Sequence, residues 1–148
     1  MHNRIFVISR EFTEEKGLFP WEEPGTVAML RVDYIVPSED FIDDIEWLQD
    51  AYGIKVFKER NKYFIPSNEI KILKDSLEKI KNERLEKVAE ELKKERPSLW
   101  RIAYRAWNQY GFFFYMNSTI WNEMELLEYL ERGIPKRLFI LESYDYHY

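Results

Sequence analysis

The chain shows two hydrophobic periods, and each predicts a different kind of secondary structure. Runs rich in β-branched and aromatic residues predict β-strands. The clearest run is FFFYM at residues 112–116, which is apolar on both faces and is therefore expected in the middle of a sheet. Six strands are predicted, over residues 4–9, 26–36, 54–58, 63–66, 112–116 and 137–143.

Apolar side chains that recur every three or four residues predict four helices. In the first helix, the apolar positions from Phe41 to Tyr52 form one stripe, with Ser38 placed as the N-cap and Gly53 as the stop. The four predicted helices span residues 38–52, 67–96, 98–110 and 119–132.

The helix at residues 67–96 is long and highly charged. From Glu69 to Arg96, 17 of 28 residues carry a charge and the signs are mixed, which is typical of a solvated helix with many i, i+4 pairs. Its apolar stripe shifts at Arg84, where a steady repeat would place an apolar residue.

The predicted order is β-β-α-β-β-α-α-β-α-β. It indicates an α+β fold in which a mixed sheet of about five to six strands packs against four helices. Residues 1–148 are expected to form one domain. Because only a short helix joins the last two strands, we expect them to be parallel neighbours with a right-handed crossover. Residues 12–25 have no clear period and predict a long loop.

The amino-acid composition excludes several kinds of chemistry. The chain has no cysteine, which excludes disulfides, thiolate metal sites and thiol nucleophiles. We expect a soluble cytoplasmic protein, in the host cytoplasm if it is virus-encoded, because no signal peptide or apolar run of membrane-spanning length is evident. Two glutamines stand against 20 glutamates and 12 lysines, a bias that resembles proteins from hot environments.

The excess negative charge lies in the first half of the chain. The net charge is −5, and residues 1–66 alone carry 13 acidic and 8 basic side chains. An acidic balance disfavours anionic membranes and direct contact with nucleic acid. The partner that it favours is a protein with a basic surface.

The most acidic segment is the first predicted helix. Between Glu39 and Asp50 there are six acidic residues and no basic one, and Trp47 lies among them on the side away from the apolar stripe. An aromatic side chain surrounded by carboxylates resembles an anchor for a basic partner. The candidate binding residues here are Asp40, Asp43, Asp44, Trp47 and Asp50. The alternative is a solvated helix face whose tryptophan is covered by the long loop.

The long loop supplies a second group of candidates, Trp21, Glu22 and Glu23. If this loop lies beside the acidic helix, the two would form one negative surface. The alternative is a loop whose aromatic residues insert into the core.

Three other features are weaker. In an extended tail, Tyr144, Tyr146 and Tyr148 share one face, which indicates either a surface for self-association or the end of a packed strand. Arg101, Arg105 and Asn108 lie near Trp100 and Trp107, a combination that single-stranded nucleic acid or phosphate sites use, although a solvated face is the simpler interpretation. The two histidines, His2 and His147, could meet only if the ends of the chain are adjacent.

Candidate catalytic chemistry is sparse. No nucleophile elbow, phosphate-binding loop, dinucleotide fingerprint or zinc-protease motif occurs. Carboxylates that point outward from a helix do not converge on a cation, so we expect no metal and no cofactor. The sequence therefore predicts a small acidic binding module, an inhibitor or an immunity or anti-defence type of protein that occludes a basic, nucleic-acid-handling partner. A carboxylate- and tyrosine-based hydrolase or transferase, and a self-assembling virion-type subunit, stay open as alternatives.

Overall fold

The computed structural model describes residues 1–23, 25–106 and 111–148. It confirms the α+β class, with a mixed sheet of seven strands and five helices within these ranges. Residues 107–110, the end of the third predicted helix, lie outside the described residues and include Trp107 and Asn108. No helix in the described ranges is long and apolar enough to cross a membrane.

The strands differ in length and in position within the sheet. The longest is the last one, which runs through the tail to His147. The strands are β1 (His2–Ser9), β2 (Tyr34–Pro37), β3 (Phe57–Glu59), β4 (Lys62–Pro66), β5 (Phe113–Met116), β6 (Thr119–Trp121) and β7 (Arg137–His147).

The helices are α1 (Thr26–Leu30), α2 (Phe41–Tyr52), α3 (Ser67–Leu92), α4 (Leu99–Ala106) and α5 (Glu123–Glu131). Helix α5 begins with the side chain of Asn122 accepting from the Glu125 amide while Glu125 accepts from the Asn122 amide, a capping box. Helix α2 ends at Gly53, whose φ of 65° is the left-handed conformation that glycine favours.

Strand β7 organises the sheet. One of its edges pairs antiparallel with β1, and the other is shared by β4 near its start and β2 near its end. Beyond β1 lie β5, which is parallel to β1, and then β6. The expectation that β5 and β7 are parallel neighbours is therefore wrong, because β1 lies between them and they run in opposite directions.

The sheet separates two hydrophobic cores. The helix-side core lies under α2, α3 and α5 and includes Phe6, Leu48, Leu73, Leu126 and Ile140. The loop-side core lies under residues 10–23 and α1 and includes Ile5, Phe19, Phe113, Leu141 and Tyr146. Alternation along β1 explains both cores, since successive side chains of a strand point to opposite faces.

Two stretches differ from their predicted secondary structure. Residues 26–36, predicted as one strand, form α1 and β2, because Thr26 and Leu30 are buried against the loop-side core as a helical turn. Residues 119–121, predicted as the start of a helix, form β6, which pairs with β5 as a hairpin. In both cases tertiary packing outweighs a weak local propensity.

Candidate functional site

Helix α2 carries the acidic candidates, and the structure divides them. Asp44 is only 2% exposed. Its Oδ1 atom accepts from Arg4 Nε at 2.6 Å, and its Oδ2 atom accepts from Ser143 Oγ at 2.7 Å. The prediction that Asp44 contributes to the exposed surface is therefore wrong, because Asp44 lies next to the buried Ile45 at the margin of the apolar stripe.

The other acidic residues of this segment remain exposed. Within the described residues, no ion pair forms to any of Glu39, Asp40, Asp43, Glu46 and Asp50. We call Asp40, Asp43, Glu46 and Asp50 the acidic stripe. Their spacing places them on the solvent side of α2, opposite the buried Leu48.

Trp47 lies at the edge of the acidic stripe and is 39% exposed. Its ring packs edge-on against Phe112, with the ring centroids 5.0 Å apart, and the Arg4 guanidinium lies 5.3 Å from the ring centroid. The long loop is not what it packs against. Trp47 is thus held in position on one side while the rest of the indole faces solvent.

Arg4 connects this region to the sheet. Besides Asp44 it donates from Nη1 to Asp145 Oδ1 at 2.8 Å, and its side chain is largely buried. The Arg4 cation is therefore neutralised inside the protein and does not neutralise the acidic stripe. An ion pair of this kind fixes where α2 lies against β1 and β7.

The long loop does not join the acidic stripe. Phe19 is buried in the loop-side core, and the ring of Trp21 packs 6.5 Å from that of Tyr144. Because α2 covers the opposite face of the sheet, Glu22 and Glu23, although exposed, do not extend the surface of α2. The condition for one combined negative surface, a loop beside α2, is therefore not met, and the loop follows the alternative in which its aromatic residues insert into the core.

The loop is fixed by a carboxylate on β7. The register of β1 and β7 shifts between Val7 and Ile8, a β-bulge. Next to this bulge, Glu142 accepts hydrogen bonds from the backbone amides of Gly17 at 2.8 Å and Leu18 at 3.2 Å.

The tail is a packed strand. Tyr144 and Tyr146 are buried, and the Tyr146 hydroxyl donates to the Gly111 carbonyl. Burial, together with the nearby Glu142 carboxylate, raises the pKa of Tyr144 to about 12. Burial also raises the pKa of Tyr146. These two side chains belong to the loop-side core and do not form an exposed surface for self-association.

The two histidines do meet, at the end of the sheet. Their ring centroids are 5.0 Å apart. His2 Nδ1 lies 3.1 Å from Asp145, and His147 Nδ1 lies 2.9 Å from Asp33. In the described ranges no group of three or more histidine, aspartate or glutamate side chains could hold a metal ion.

A second buried polar cluster explains the shift in the apolar stripe of α3. Arg84 donates to Glu123 Oε1 at 2.8 Å, and the Tyr52 hydroxyl donates to Glu123 Oε2 at 2.7 Å. Burial raises the pKa of Tyr52 well above its ordinary value, with the Glu123 charge adding to the effect. The cluster joins α2, α3 and α5, so its role is structural.

Helix α4 is different from the rest, because none of its residues is fully buried. It is attached to α3 through Glu91, whose Oε1 atom accepts from the Ser98 amide at 3.1 Å and whose Oε2 atom lies 2.6 Å from Lys94 Nζ. The adjacent Lys94 ammonium is the main reason that the pKa of Glu91 is lowered. Trp100 and Tyr104 project from α4 and are largely exposed.

Comparisons with protein-family models, with curated proteins and with solved structures found no match for this chain.

Proposed function

We propose that this protein is a small acidic binding module that recognises a protein with a basic surface, through the acidic stripe and Trp47. The class of partner that fits this chemistry is a nucleic-acid-handling protein, whose cationic site normally receives phosphates. The module would act as an inhibitor, of the immunity or anti-defence type, by occupying that site.

The observation that carries the proposal is that the acidic stripe is not neutralised from within the described part of the chain. The four carboxylates lie on one face of α2, and no basic residue lies between Asp40 and Asp50 in the sequence. Such a cluster raises the rate of encounter with a cationic surface and makes that rate sensitive to salt.

Trp47 would add an apolar contact with the partner to the electrostatic attraction of the acidic stripe. Tryptophan is among the residues that concentrate binding energy when a partner excludes water from them. Phe112 and Arg4 already restrict the ring of Trp47, so little side-chain entropy is lost on binding.

The proposed mechanism is steric occlusion. The carboxylates of the acidic stripe would meet the partner's arginines and lysines, and the indole would pack against an apolar part of the same site. No chemistry on the partner is needed, and the ion pair between Arg4 and Asp44 would keep α2 in place during the encounter.

The test is affinity capture from a lysate of the source organism with three immobilised forms of the protein. The first is the wild type, the second is the D40N/D43N/E46Q/D50N variant, and the third is a matched control, D75N/E83Q/E86Q/E95Q. The control removes the same number of charges from exposed positions on and just after α3.

The proposal requires a protein that the wild type and the control retain at low salt and that the stripe variant does not. If the stripe variant captures the same proteins as the wild type, the acidic stripe is not a binding surface. If the control variant also fails to retain these proteins, capture depends only on the net charge of the module, and the proposal is wrong.

A further inference from the structure

A large groove lies on another part of the molecule, around β6, the last strand in the order of the sheet. Its volume is about 1100 Å³. Helix α4 and the end of α1 form its walls, and Phe113 and Ile120 form part of its floor. A groove of this size slightly exceeds the range for ligand pockets, about 300–1000 Å³, and has room for a short stretch of a polymer. It has no residue in common with the acidic stripe.

Two aromatic side chains of α4 stand on one wall of this groove. Trp100 and Tyr104 are one helical turn apart, their ring centroids are 5.4 Å apart, and the ring planes differ by only 9°. They are 71% and 67% exposed. Exposed aromatic rings of this kind are surfaces on which nucleobases stack in proteins that bind single strands.

Cationic side chains line the same groove. Arg31 and Lys87 form no ion pair within the described residues, and Arg105 lies 3.7 Å from the exposed Glu90 carboxylate while donating to the Lys87 carbonyl. Arg84 also lines the groove and pairs with Glu123, while Glu125 accepts from the Asn122 amide and keeps its negative charge. The lining therefore carries four cationic side chains and one carboxylate. The groove is thus a local positive region on a protein of net charge −5.

We propose that this groove binds single-stranded nucleic acid, with bases stacked on Trp100 and Tyr104 and phosphates contacted by Arg31, Lys87 and Arg105. An acidic peptide would satisfy the cations but would leave the two parallel ring faces unused. A base-and-phosphate polymer uses both features at once. The charge balance of the whole chain predicts no direct contact with nucleic acid, and the groove is a local exception to that expectation.

The test is fluorescence anisotropy with a labelled single-stranded DNA of ten thymidines, and with an equally labelled ten-residue oligoglutamate as the competing ligand class. The double variant R31Q/K87Q removes two groove cations, and K71Q/K79Q is its matched control on the exposed side of α3. Trp100→Ala removes one stacking ring. Every side chain that these variants replace is exposed, so the variants should fold, and circular dichroism verifies it.

We expect the wild type to bind the single strand with a slope of log K against log salt of about −2, from three phosphate contacts at about 0.7 each. R31Q/K87Q should weaken binding roughly tenfold or more and make the slope shallower by more than one, while K71Q/K79Q should bind like the wild type. Trp100→Ala should weaken binding by roughly tenfold. Absence of binding to the single strand, equal binding of oligoglutamate, or unchanged binding by either groove variant would overturn the proposal.

Discussion

Arg4 Nε lies 2.6 Å from Asp44 Oδ1, so the one basic side chain that reaches α2 from β1 is held by the one acidic residue of that helix that is buried. This pairing separates the acidic residues of the segment into two kinds. Asp44 stabilises the position of the helix, and within residues 1–23, 25–106 and 111–148 the acidic stripe has no ion-pair partner.

Removal of Arg4 should destabilise the protein strongly. Arg4→Met leaves the buried Asp44 carboxylate without its cation, and loss of one partner from a buried ion pair typically costs about 3–5 kcal/mol. Urea unfolding followed by circular dichroism measures this change. Arg10→Met is the control, because Arg10 is exposed and should change the free energy of unfolding by less than about 0.5 kcal/mol. Equal effects of the two substitutions would mean that the pair with Asp44 does not hold α2.

Loss of the Glu142 carboxylate should release the long loop. Glu142→Ala leaves the amides of Gly17 and Leu18 without their acceptor, so these amides should exchange hydrogen faster by at least about tenfold, which corresponds to about 1.4 kcal/mol of local stability. Amides of β1 that pair with β7 serve as the internal reference. Unchanged protection at Gly17 and Leu18 would show that the aromatic residues of the loop alone hold it in place.

Alkaline pH should unfold the protein through its buried tyrosines. Because the pKa of Tyr144 is about 12 in the folded state and about 10 in the unfolded state, its contribution to stability is complete below pH 10 and is lost as the pH rises from about 10 to 12. Tyr52 and Tyr146, whose pKa values are also raised, act in the same direction. Absorbance at the phenolate band and circular dichroism should therefore change together in this window.

Tyr144→Phe should move the alkaline unfolding midpoint to higher pH, because one ionisable group that favours the unfolded state is gone. Tyr34→Phe is the comparison, since Tyr34 is 40% exposed and should leave the midpoint unchanged. A midpoint that shifts equally in both variants would mean that burial of Tyr144 is not the cause.

The sequence predicts most of the fold because most of its elements have a strong period or a clear end. The stripe from Phe41 to Tyr52 and the stop at Gly53 are reproduced by α2. The failures lie where the period is short. Residues 26–36 are rich in β-branched side chains, which favour a strand. The first five of them instead form a helix that packs on the loop-side core, and local composition does not predict this packing.

The sequence identifies the acidic segment but does not show which of its carboxylates stay exposed. The run of acidic residues from Glu39 to Asp50 identifies α2, yet a helical projection does not show that Asp44 would meet Arg4, which is 40 residues away in sequence. Glu46 belongs to the exposed stripe and could have been included from its spacing. The separation of Glu22 and Glu23 from α2 depends on which face of the sheet the loop covers, and no local pattern encodes that.

The groove beside β6 is predicted only in part by the sequence. Trp100, Arg101 and Arg105 are visible in the sequence as aromatic and basic residues on one helix, but Arg31 and Lys87 come from distant segments. Only the fold brings these cations to the same surface as the exposed rings.

The most direct test of the central claim is the dissociation constant of the captured basic partner, measured for the wild type, the stripe variant and the α3 control at about 50 and 300 mM NaCl. The account predicts that the stripe variant binds at least about tenfold more weakly than the wild type at the lower salt concentration, with little further loss at the higher one. The control should follow the wild type at both concentrations. Equal affinity of the stripe variant and the wild type at low salt would contradict it.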